Sequence, residues 1–186
     1  MSIKSGEQDR NDMVKICKEI KMKFSDNLNE ALNKSALNNV EVALPICLDG
    51  NGKVFLGKPS FGTRHLSILK DCITGKVLGF FHTHEKLLPI SLLDIVTAVA
   101  NDHKISLIGY PKKGLVFCYH HPESAEKDFL KEVIIQTTSR FKGGFLEIVT
   151  KIVEKDKIVK LIMVIEKYVI ENIEKLTEEI YSFTVH

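Results

Sequence analysis

The stretch Val77-Leu78-Gly79-Phe80-Phe81-His82-Thr83-His84 decides the reading of this chain. Its first five residues form a short apolar and aromatic run, the signature of a buried strand, and on a strand residues two apart share a face. His82 and His84 therefore project side by side. Further on, Ser91-Leu92-Leu93-Asp94 opens a segment in which Leu92, Leu93, Ile95, Val96, Ala98, Val99 and Ala100 predict a helix, with Asp94 in its first turn. Two imidazole nitrogens and one carboxylate oxygen are the donor set of a catalytic zinc site, which keeps its fourth tetrahedral position for water. A strand end, a short loop and a helix start suffice to bring all three to one point.

The same residues also admit a reading without metal. Ser91 and Asp94 have the spacing of a capping box, a hydroxyl at the N-cap and an acidic side chain three residues on. An H-x-H pair alone is met more often by two surface or core histidines bonded to backbone carbonyls. The two patterns together, so close in the chain, favour the metal.

Working outward, Met13, Ile16, Cys17, Ile20, Leu28, Leu32 and Ala36 recur near helical spacing and predict a helix over residues 12–37. Strands follow at Val40 to Leu48 and Val54 to Leu56, joined by Asp49-Gly50-Asn51-Gly52, a strong hairpin signal. In the first of them Val40, Val42, Leu44, Ile46 and Leu48 alternate onto one face, which leaves Glu41 on the face of Ala43 and Cys47. A carboxylate entering a core strand is costly unless it is paired or functional. Pro45 has no N–H to give, so this strand needs a free edge or a bulge there. Lys58 to Leu69 reads as a surface loop. Beyond Asp94 the helix runs to Asn101, and strands at Ile105 to Tyr110 and Leu115 to His120 flank a Pro111-Lys112-Lys113-Gly114 turn.

From Gly79 to Asp94 the chain resembles the JAMM motif of the MPN-domain zinc metalloproteases: an upstream Glu, then H-[ST]-H, then about seven residues, then S-x-x-D. Here the gap from His84 to Ser91 holds six residues, Glu85 stands where the family usually has Pro, and Leu44 stands where it usually has a small Gly. The order of elements is also similar, over roughly residues 12–121. The resemblance implies an α/β MPN fold of the JAB and cytidine-deaminase-like kind, a mixed sheet flanked by helices. It implies His82, His84 and Asp94 as Zn2+ ligands, Ser91 as donor to the developing oxyanion and an upstream Glu as general base. Glu41 fits that last role best; Glu30, in mid-helix, is the alternative, and Glu85 is too close to the ligand pair. The family hydrolyses isopeptide or peptide bonds and releases ubiquitin or ubiquitin-like modifiers, with prokaryotic relatives acting on small β-grasp proteins. A catalytically inactive MPN-type interaction module is the competing expectation.

The division this gives is a flexible N-terminus at residues 1–11, the metalloprotease-like domain at 12–121 and a C-terminal extension at 122–186. Residues 123–140 predict an amphipathic helix ended by Gly143-Gly144, and Phe145 to Phe183 reads as one or two further helices. The β-branched residues from Ile152 to Ile165 alternatively form a hairpin. This extension either packs on the core or serves as a homodimer or partner surface.

No apolar run reaches the roughly 18 residues that suggest a membrane span, and the polar start is not a signal peptide, so a cytoplasmic protein without membrane contact is expected. Cys17, Cys47, Cys72 and Cys118 lack C-x-x-C spacing, which makes reduced buried thiols the expectation. The net charge of +2 splits into +4 over residues 1–122 (16 basic, 12 acidic) and −2 over 123–186 (10 basic, 12 acidic), which gives no case for nucleic acid. His120-His121 before Pro122 reads as a solvated turn, and His65, His103 and His186 are isolated.

Overall fold

Helix α1 spans Gly6–Asn38 and lays Met13, Cys17, Ile20, Leu28 and Leu32 on one face of a sheet, as its apolar repeat predicts. The computed structural model describes residues 6–63, 71–86, 90–140 and 155–186. Strands β1 (Val42–Leu48), β2 (Val54–Leu56), β3 (Ser60–Phe61), β4 (Lys76–Thr83), β5 (Ile105–Tyr110), β6 (Leu115–His120) and β7 (Glu178–Thr184) form one mixed sheet. Its order is β2-β1-β4-β5-β6-β7, with β3 also paired to β1. The β4–β5 pair is parallel, connected through α2 (Leu92–Ala100), and the other pairs are antiparallel.

Helices α2, α3 (Ala125–Arg140), α4 (Lys155–Glu171) and α5 (Ile173–Leu176) cover the opposite face from α1. Ile95, Val99, Leu130, Ile134, Val169 and Leu176 bury there against Ile108, Tyr110 and Tyr119. Three layers result, helix on sheet on helices, and β5 and β6 alternate their side chains into two separate apolar cores.

The Asp49 carboxylate accepts from the N–H groups of Asn51 and Lys53, and Gly52 takes the positive φ of 78° that the β1–β2 turn requires. Pro45 sits between the stretch of β1 that pairs with β3 and the stretch that pairs with β2. The bulge it called for lies one residue on, between Ile46 and Cys47. Gly79 admits no side chain, because a Cβ there would stand 1.7 Å from the Ile105 carbonyl oxygen.

Four expectations are corrected. Residues 6–11 are helical and not a flexible tail: Asp9 and Arg10 are tied to His120 and Glu178, at 3.1 Å in each case. The extension is not wholly helical, since β7 pairs with β6 as the last strand of the sheet and sends Phe183 into the α1 core. The run Ile180-Tyr181-Ser182-Phe183 is β-branched and aromatic, and an open strand edge outweighs the helical reading. Residues Lys155 to Lys157 are helical, which removes the hairpin alternative there, while 145–154 lie outside the described residues. Part of the expected surface loop is strand: β3 pairs with β1 and Ser60 is buried, whereas residues 64–69 lie outside the described residues.

The fourth correction concerns the cysteines. Cys17 is bonded to Cys118, tying α1 to β6, and Cys47 to Cys72, tying β1 to the segment before β4. The Cα atoms are 6.5 and 5.9 Å apart, and none of the four thiols is free. Partners 101 and 25 residues apart leave no spacing motif to read. No helix among the described residues is long and apolar enough to cross a membrane.

Candidate metal centre

The site forms where β4 ends and α2 begins, at the carboxyl end of the parallel pair, the end of an α/β sheet where helix starts and strand ends converge. His82 lies within β4, opposite Ala43 of β1 and beside Ile108 of β5, and is buried. His84 follows one residue after the strand, its N–H donating to the Gly109 carbonyl at 2.8 Å. That bond prolongs the ladder and keeps both imidazoles on the α2 face. Asp94 is the third residue of α2.

These side chains converge. His82 Nε2 and His84 Nε2 are 3.0 Å apart, His82 Nε2 is 3.0 Å from Asp94 Oδ1, and His84 Nε2 is 3.4 Å from Asp94 Oδ2. Donors bonded to a tetrahedral zinc at roughly 2.0–2.1 Å stand about 3.3 Å from one another. The three spacings bracket that value, so the residues fit the ion. Among the described residues, His82, His84 and Asp94 make up the group of His, Cys, Asp and Glu side chains that could hold a metal.

Ser91 has two duties at once. Its hydroxyl accepts from the Asp94 N–H at 3.1 Å, while the Asp94 Oδ2 accepts from both the Ser91 N–H (2.9 Å) and the Ser91 hydroxyl (2.6 Å). This is the capping box expected from the spacing, and it fixes the Asp94 rotamer against the two histidines. The metal-free and metal readings are therefore compatible: the cap orients the Asp94 carboxylate.

Charge reinforces the geometry. Burial disfavours an ionised Asp94, but the His82 charge and the hydrogen bonds of His82, His84 and Ser91 outweigh it and hold the carboxyl well below the usual carboxylate range. Burial also works against protonated His82; Asp94 and, after it, Glu41 prevail and raise its pKa.

Glu41 stands one residue before β1, half-buried. Its N–H donates to the Thr63 carbonyl at 2.8 Å and its carbonyl accepts from the Gly62 N–H at 2.9 Å, so it continues the pairing of β1 with β3. Alternation from Ala43, which faces His82, carries Glu41 to the same side, in keeping with its electrostatic effect on that imidazole. Glu30 does not approach the site: it lies on the exposed side of α1, paired with Lys34. Glu85 is exposed.

The remaining histidines are built into the fold. His120 and His121 are buried, not solvated, which corrects the turn reading. The two ring nitrogens of His120 meet Asp9 and Glu178 at 3.1 and 3.0 Å. His121 Nδ1 donates to the Leu176 carbonyl at 3.2 Å, which leaves Nε2 to accept from the Ser106 hydroxyl at 2.8 Å. His103 is buried against Phe80, with ring centroids 5.0 Å apart. His65 lies outside the described residues and His186 is exposed.

Tyr110 was missed by sequence reasoning. Its ring meets His84 edge-on with centroids 6.3 Å apart, walling one side of the site. Its place at the end of β5, the strand parallel to β4, is the signal that could have found it. Compared with family models and with curated proteins, the sequence matches none.

Proposed function

We propose that this protein is a zinc-dependent metallopeptidase that hydrolyses isopeptide or peptide bonds, built on an MPN-type α/β fold and acting on conjugates of ubiquitin-like proteins. The observation that carries the reading is the convergence of His82 Nε2, His84 Nε2 and Asp94 at 3.0, 3.0 and 3.4 Å, a three-donor set at zinc spacing on a strand end and a helix start. When bound, zinc supplies a Lewis acid and makes hydroxide available near neutral pH. The chain does the rest. Glu41 takes a proton from the attacking water and delivers it to the leaving amine nitrogen, help typically worth about two to four powers of ten. The Ser91 hydroxyl turns from Asp94 to the carbonyl oxygen as negative charge gathers there, a contribution of roughly a hundredfold or more for one donor. The reading gives no part to nucleic acid or membrane.

The test is elemental analysis joined to cleavage of a lysine-linked conjugate of a ubiquitin-like protein. We expect about one zinc per chain in the wild type, loss of zinc and activity together in His82→Ala, and zinc without activity in Glu41→Gln. Failure to take up zinc defeats the proposal.

A second reading has its own observation. Met163, Val164 and Ile170 of α4 are exposed. A metal-loaded protein that cleaves no conjugate but associates through this helix, as a homodimer or with a protein partner, is an interaction module. Gel filtration across a concentration series, with Val164→Lys as control, distinguishes the two.

A further inference from the structure

Thr83 lies between the two candidate ligands and faces away from them. It is fully buried, and its hydroxyl belongs to a directed chain of hydrogen bonds. The Val42 N–H donates to Thr83 Oγ1 at 2.9 Å, the Thr83 hydroxyl donates to Ser35 Oγ at 2.9 Å, and the Ser35 hydroxyl donates to the Val40 carbonyl at 2.7 Å. The chain starts and ends on the two neighbours of Glu41. It crosses three elements on the way: β1, β4 and the last turn of α1.

A buried hydroxyl needs a partner, and that requirement alone predicts something more local. A serine within a helix ordinarily bonds back to the carbonyl four residues earlier. Ser35 reaches forward instead, to a residue beyond the helix end. The left-handed backbone of Asn39, with φ 53°, turns the chain there and brings the Val40 carbonyl into reach. Each hydroxyl in the series accepts one bond and donates one, so the chain has a single direction and no free end.

We propose that Thr83 and Ser35 are positioning residues that set the distance of Glu41 from the His82–His84 pair. The inference rests on the role of Glu41 argued above. Thr83 ends β4 directly between His82 and His84, so a carboxylate referenced to Thr83 is referenced to both imidazoles. On its far side the Glu41 backbone pairs with the Thr63 carbonyl and the Gly62 N–H, which belong to the short β3 connection. The hydroxyl chain supplies the rigid side. Misplacing a reacting group by about 1 Å costs on the order of a hundredfold in rate, which makes such a reference necessary.

Thr83→Val keeps the shape of the side chain and removes the hydroxyl; Thr83→Ser restores the hydroxyl. In the full-length zinc-loaded protein, Thr83→Val is expected to retain its metal and lower kcat on the lysine-linked conjugate by about tenfold to a hundredfold, with KM within about twofold. Thr83→Ser recovers most of kcat. In a Glu41→Gln background, Thr83→Val causes no further loss, because the group it positions is already gone. Ser35→Ala repeats the effect from the α1 side and serves if the valine variant folds poorly.

Amide hydrogen exchange gives a readout that needs no activity. The Val42 N–H should exchange about tenfold faster in Thr83→Val than in Thr83→Ser, as one buried bond is lost. Unchanged protection at Val42, or a kcat loss of equal size with and without Glu41, overturns the proposal. A zinc-loaded wild type that cleaves nothing defeats the enzyme reading instead, while faster exchange at Val42 would still uphold the hydroxyl chain.

Discussion

At the scale of single residues, the candidate site depends on how few positions must agree. Asp94 meets His82, His84 and Ser91 at once, and the bonds from Ser91 leave its carboxylate little freedom. Ser91→Ala is therefore expected to act twice. It removes an N-cap, costing about 1 kcal/mol of stability. It also frees the Asp94 rotamer, so zinc should bind about tenfold or more weakly, as is typical when a group orienting a metal ligand is lost. Urea melts and competitive zinc titration separate the two effects. Weakened stability with unaltered zinc affinity would show that the cap serves the helix alone.

At the scale of elements, the decisive junction is between the sheet and the helices on the α2 side. His103 and His121 are both buried there as neutral imidazoles. Burial, aided by the Lys127 charge, pushes the pKa of His103 down to about 4. Burial and the nearby Lys127 push His121 down to about 3, against the pull of its bond to Leu176. Both lie below the unfolded value near 6.5, so the unfolded chain binds more protons between these limits and stability rises with pH. Their full contribution is present above pH 6.5 and is lost as pH falls towards 4 and 3. The expected loss by pH 4 is on the order of a few kcal/mol, read from denaturant melts between pH 7 and 4. His103→Phe should flatten part of that dependence. An unchanged slope in that variant would contradict a neutral buried His103.

At the scale of the whole molecule, stability rests on closures between distant parts of the chain. The Cys17–Cys118 bond closes a separation of 101 residues and Cys47–Cys72 one of 25. Chain entropy alone assigns these loops about 4–5 and about 3–4 kcal/mol, with less delivered in practice. Full reduction is expected to lower the melting temperature on the order of 10 °C or more. Denatured but unreduced protein should present no thiol to maleimide, and reduced protein four. Labelling without prior reduction would return the cysteines to the free state first expected. Asp9, His120 and Glu178 make a third such closure, joining the first turn of α1 to the last two strands.

What the sequence determined by itself is local. The strand carrying His82 and His84, the capping box of Ser91 and Asp94, and the Asp49 to Gly52 turn all follow from side chains within four residues of one another, where strand and helix periodicity fix direction. That sufficed to bring His82, His84 and Asp94 together as a candidate ligand set, because all three lie within one strand end, one loop and one helix turn. Tertiary structure decided the rest. Residues Ile180 to Phe183 became strand because β6 presented an open edge, which no window around them records. The cysteines paired, and His120 and His121 became buried, through partners dozens of residues away. Thr83 is legible only as a hydroxyl between two histidines until α1 brings Ser35 beside it. Periodicity records which way a side chain points; only the packed chain determines what it meets.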